Sequence, residues 1–83
     1  AAALLLTTLA AAACAERGVY VLTDECYLFF VYPPAEVFAA ATLPKELRQF
    51  VCVAGSFSKT YAMTGWRIGY TIAGEDWTRQ MNK

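Results

Sequence analysis

The chain has 83 residues with seven basic and seven acidic side chains and no histidine, giving a formal charge of zero. Charges in balance, with no basic stripe among the aromatics, leave no electrostatic footprint for nucleic acid. A hydrophobic share of 58% is high for one small domain, where surface is large relative to volume, and it raises the expectation of a piece of a larger domain.

Residues 1–15 are dominated by alanine and leucine, both strong helix formers. Glu16-Arg17 bring polarity near the end, and Gly18 suits the position just past a helix. Ala13-Cys14-Ala15 loosely imitates a leader-cleavage site. No initiating methionine or basic segment precedes it, and the stretch is too short to span a bilayer, so a buried helix is expected.

Val19–Thr23 is an apolar, β-branched run and reads as the first strand, with Asp24-Glu25-Cys26-Tyr27 directly behind it. The aromatic stretch from Leu28 to Tyr32 is stopped by Pro33-Pro34. A short helical turn is expected over Glu36–Ala41, and Pro44 opens another short helix through Arg48. Phe50–Ala54 is the second strand, and Gly55 is expected to turn the chain sharply into Ser56. Arg67–Ala73 reads as a third strand, and Gly74-Glu75-Asp76 opens a final helix that the chain's end cuts off. The first two strands alternate little in polarity, as strands buried on both faces do. A long connection between them allows a right-handed parallel crossover, and the short link to the third permits an antiparallel partner. Cys14, Cys26 and Cys52 are odd in number and far apart. They suggest neither a disulfide framework nor a metal site, and are expected to be buried and reduced.

Two tracts carry chemistry. Ser56-Phe57-Ser58-Lys59-Thr60-Tyr61-Ala62-Met63-Thr64-Gly65-Trp66-Arg67-Ile68-Gly69 sets a lysine among small hydroxyl residues at the end of an apolar stretch, with an arginine further on. That pattern suits a lysine forming a Schiff base beside a bound phosphate, which the planar arginine fork can grip. The run resembles the pyridoxal-phosphate attachment site of class I/II aminotransferases, the aspartate aminotransferase group of fold type I. Asp24 and Tyr27 are similar to the family's other cofactor element, and they come in the family's order ahead of Lys59.

The resemblance implies a definite site. Lys59 would hold pyridoxal 5'-phosphate as an internal aldimine and then serve as the proton-transferring base. Asp24 would pair with the pyridine nitrogen, Tyr27 would bond the ring oxygen, and Ser56, Ser58 and Arg67 would bind the phosphate. It also implies an α/β fold, part of a three-layer α/β/α large domain with a mixed, mostly parallel sheet. Residues 1–83 would be a partial cofactor-binding domain, without its N-terminal part or the small domain. The parent would be a cytoplasmic homodimer of amino-acid metabolism, moving an amino group between an amino acid and a 2-oxo acid, with no nucleic-acid or membrane partner. A fold-type-I lyase or synthase using the same aldimine is the enzymatic alternative, and a noncatalytic packing module is the other.

Each residue also has an ordinary role when taken singly. Asp24 suits a loop cap, Tyr27 a core position, Lys59 a solvated charge, Arg67 an exposed strand position, and Ser56 and Ser58 a turn. Met63 and Trp66 are expected to pack around the lysine loop, and Glu25 to be solvated or paired.

Overall fold

A computed structural model describes residues 2–83 of the chain. Helix α1 covers Ala2–Glu16, so the expected helix is present, but most of it is not buried: Leu4, Leu5, Leu6 and Leu9 are exposed; only Ala1 lies outside the described residues. Its end is closed by crossed bonds, Gly18 N–H to Ala15 O at 3.1 Å and Val19 N–H to Cys14 O at 2.9 Å. Gly18 sits at φ 65°, a left-handed conformation that a glycine adopts without a Cβ penalty.

Three strands follow: β1 at Val21–Asp24, β2 at Val51–Ser56 and β3 at Gly69–Ile72, in the order β1-β2-β3. β1 and β2 are parallel, with Val21 opposite Val51 and Asp24 opposite Ala54. β2 and β3 are antiparallel, with Val53 opposite Ile72 and Ser56 opposite Gly69. The expected mixed sheet is therefore present, its directions following from one long and one short connection.

One face of this sheet is covered. Val51 and Val53 pack with Ala11 of α1 and with Ala40 and Leu43, and Val21, Phe38 and Leu47 close around them. Leu47 belongs to α2, Lys45–Arg48, whose first turn is set by Pro44 O accepting from Leu47 and Arg48. The other face is largely open, with Leu22 65% exposed. Burial on both faces was expected for both parallel strands, but it holds only for β2, where Val51, Cys52 and Val53 are all buried. β1 alternates between half-buried and exposed because Val21 faces the covered side and Leu22 the open one.

Several local expectations change. The turn expected over Glu36–Ala41 falls at Ala40–Thr42, because Ala39 is extended at φ −124° and ψ 127°. Gly55 does not turn the chain; it continues β2 opposite Tyr70, and the strand runs on to Ser56. The third strand starts at Gly69 rather than Arg67, which has left-handed backbone at φ 55°. Helix α4, Glu75–Met81, closes before the last residues, and its Trp77 ring meets Tyr20 edge-on at 4.8 Å. Trp66 does not pack around the lysine loop but is 70% exposed. Of the cysteines only Cys52 is buried, and burial pushes its thiol pKa up; Cys14 and Cys26 are half-buried.

Candidate functional site

Strand direction decides where the polar residues collect. In parallel strands all carboxyl ends lie on one side of the sheet, which is where α/β folds place ligands. Asp24 ends β1, Ser56 ends β2, and the register puts Ser56 only two residues beyond the level of Asp24. Two tracts far apart in sequence thus finish side by side.

Asp24 is exposed and held by a tight turn, with Cys26 N–H donating to its Oδ1 at 3.1 Å. The Cys26 side chain and that backbone N–H together lower the carboxyl pKa, against a small opposing effect of desolvation. Such donors favour the charged form, so Asp24 stands ready as an anion. The loop-cap role is real here, and it operates on the same carboxylate that the sequence singles out.

Beyond the turn, Tyr27 precedes a single 3-10 turn at Leu28–Phe30, and its ring meets Phe30 edge-on at 6.4 Å. The Tyr27 ring is 62% exposed, so it is not a core residue. Lys59 Nζ stands 6.0 Å from its centroid, at the outer reach of a cation–π contact. The post-β1 turn and the lysine segment therefore meet through these two side chains.

Lys59 lies in α3, a single turn at Phe57–Thr60, with Ser56 at its N-cap in extended conformation. The Ser56 hydroxyl makes no capping bond, and Ser56 and Ser58 are half-buried. Phe57 N–H donates to Ile68 O at 3.2 Å and Met63 N–H to Ser58 O at 3.0 Å, which folds residues 57–68 back toward the start of β3. Ala62 and Arg67, at φ 52° and 55°, bracket a short 3-10 turn at Thr64–Trp66. Left-handed backbone is uncommon for residues other than glycine and reflects a tightly defined loop. Arg67 Nη1 donates to Thr64 O at 3.1 Å, which steadies the exposed guanidinium with one of its five donors.

Two participants escaped sequence reasoning. Cys26 supplies the donors that keep Asp24 anionic, a role its neighbouring position alone did not indicate. Glu25 is paired, as one of its two expectations had it: Ala40 N–H donates to its Oε1 at 2.7 Å, and Thr23 Oγ1 lies 3.4 Å from the same oxygen. Strand alternation, which sets Glu25 on the opposite face from Asp24, was the available signal. Among the described residues no three His, Cys, Asp or Glu side chains gather to hold a metal ion, and no helix is long and apolar enough to cross a membrane.

Comparison with known proteins gives a family match over residues 5–83, to the model described as aminotransferase class I and II. An aspartate aminotransferase of Pinus pinaster is 50% identical over 50 residues, 60% of this chain and 10% of that protein. An aspartate aminotransferase of Streptomyces avermitilis is 45% identical over 62 residues, 75% of this chain and 15% of that protein. Among solved structures, an aromatic aminotransferase from Pyrococcus horikoshii superposes with a TM-score of 0.69 at 36% identity, covering 77% of this chain and 17% of that one. The chain thus spans less than a fifth of the length of each of these three relatives.

Proposed function

Because the chain belongs to the class I and II aminotransferase family, we propose that it forms the lysine-bearing part of the cofactor-binding domain of a pyridoxal-phosphate aminotransferase. The enzyme transfers an amino group between an amino acid of the aspartate or a related type and a 2-oxo acid. The resemblance carries with it a cytoplasmic homodimer. One observation supports the site above all: parallel pairing of β1 with β2 brings the Asp24–Tyr27 turn against the Lys59 turn, with Lys59 Nζ 6.0 Å from the Tyr27 ring.

The residues suit the cofactor chemically. Asp24, exposed and held anionic by Cys26, matches a protonated pyridine nitrogen. Tyr27 offers a phenolic hydroxyl to the ring oxygen. Ser56, Ser58 and Arg67 bring two hydroxyls and a fixed positive charge suited to a phosphate. When bound, pyridoxal phosphate supplies an electron-withdrawing ring that acidifies the substrate Cα–H.

The chain's own groups do the rest. The Asp24 carboxylate would face the ring nitrogen and favour its protonated form. With the cofactor bound, Lys59 would be the group that anchors it, and its Nζ, once free, would be placed to take a proton from the substrate Cα. Arg67 would hold the phosphate end and is not the substrate-carboxylate ligand.

The experiment replaces Lys59 in the full-length enzyme. Borohydride reduction is expected to fix the cofactor to the wild-type peptide that contains Lys59 and to leave the Lys59→Ala peptide unmodified. Noncovalent cofactor binding should survive in Lys59→Ala, since Asp24, Tyr27 and the phosphate contacts remain. Normal turnover in Lys59→Ala would remove the lysine from this role.

A further inference from the structure

We infer that Glu25 is a positioning residue that fixes which face of the sheet Asp24 presents, an inference that rests on the site reading above. The backbone stays in the ladder through this point, because Glu25 N–H donates to Ala54 O at 2.8 Å. Successive residues in such a ladder point to opposite faces. Glu25 and Thr23, two apart, share one face, and the Thr23 hydroxyl lies 3.4 Å from Glu25 Oε1.

That face is the covered one. The same Glu25 oxygen accepts from Ala40 N–H at 2.7 Å, and Ala40 is fully buried in the core beside Leu43, Val51 and Val53. Glu25 therefore ties the last rung of β1 to the core, and Asp24 is left on the open face with Leu22. A strand shifted by one residue would exchange the two carboxylates between faces. It would also strand the Ala40 N–H, leaving a donor in the core without its partner. One acid does chemistry, and its neighbour holds it in place.

The test uses the cofactor-free full-length enzyme as wild type, Glu25→Gln and Glu25→Met. Glutamine retains an acceptor oxygen at the same reach, whereas methionine keeps the length without one. Two quantities are read: amide hydrogen exchange at Ala40, and the pH midpoint of the Asp24 carboxyl carbon by NMR. Exchange at Ala40 should rise about tenfold or more in Glu25→Met and stay near wild type in Glu25→Gln, as expected from the loss of one buried hydrogen bond. The Asp24 midpoint should move up toward the ordinary carboxylate value in the methionine variant only.

A methionine variant in which Ala40 loosens while Asp24 keeps its midpoint would reduce Glu25 to a structural tie and overturn the inference. So would one in which neither changes. Should methionine prevent folding, wild type and Glu25→Gln decide. Glu25→Gln must then keep both the wild-type exchange at Ala40 and the wild-type Asp24 midpoint; failure of either overturns the inference. An error in the aminotransferase reading is separable, because it would appear as a wild-type enzyme that takes up no pyridoxal phosphate.

Discussion

Asp24 is a solvent-exposed carboxylate whose acidity is set by one neighbour. The Cys26 side chain contributes most to its lowered pKa, the Cys26 backbone N–H contributes next, and both donate to the charged form. Since the folded value lies below the unfolded one, the associated stability is present above the unfolded pKa. It is lost as pH falls through the folded value. Cys26→Ala keeps the backbone donor and removes the thiol, so the Asp24 midpoint should rise only part of the way to the ordinary value. Carboxyl-carbon NMR titration of the two proteins checks this, and an unchanged midpoint would mean that the thiol is idle. That the tracts of Asp24 and Lys59 would each come at the end of a strand was legible in the apolar runs ahead of them. Glu25's partner was not, since Ala40 lies fifteen residues away in an irregular loop whose path no periodicity announces.

At the scale of elements, β2 and β3 approach each other through two glycines that act differently. A Cβ on Gly55 would land in the Tyr70 ring, whose far end lies across the strand. Tyr70 is 41% exposed and has room to swing aside, giving up its 5.8 Å contact with the Phe57 ring. Gly55→Ala should therefore cost about 1 kcal/mol, and Tyr70→Ala should abolish that penalty. A Cβ on Gly69 would instead meet the Gly55 carbonyl oxygen at 2.9 Å, and backbone in the middle of a ladder cannot swing. Gly69→Ala is expected to cost more, roughly 2–3 kcal/mol, with no rescue from Tyr70→Ala. Denaturant unfolding of the full-length single and double variants measures both, and equal losses at the two sites would contradict this account. The number, order and directions of the strands could be read from apolar runs and link lengths. Gly55 was misread as a turn because its real constraint comes from Tyr70, and a cross-strand neighbour is known only once the register is known. Trp66 departs from expectation too: a large aromatic suggests packing, but it lies in the exposed 3-10 turn ahead of the left-handed Arg67.

As a whole molecule, the described chain is a plate, 41 × 38 × 15 Å along its principal axes. Sheets pack about 10 Å from the layer above them, so a body this thin has a sheet and one cover. Leu22, Phe29, Tyr32 and Trp66 are each more than three-fifths exposed, well beyond what a soluble monomer scatters singly. The 83-residue chain purified by itself should therefore associate on size-exclusion chromatography and show no saturable transamination. The assay follows glutamate formation from an amino-acid panel and 2-oxoglutarate with added pyridoxal phosphate. Saturable turnover that disappears in Lys59→Ala would show that the chain is a sufficient enzyme. The apolar share of the sequence accords with so much exposed apolar surface, but which face stays open depends on the path of α1, and composition holds no record of that.

Central placement of β2 has one more consequence. Both hydrogen-bonding edges of that strand are already used, one by β1 and the other by β3. Any additional strand can join only on the outer flank of β1 or of β3, so none can be inserted between Asp24 and Ser56. Asp24 and the lysine-bearing segment are thus separated by one interstrand step across the sheet and a two-residue stagger along it, a spacing fixed by bonds internal to this chain. Whatever surrounds it can widen the sheet, but it cannot spread the two halves of the site apart.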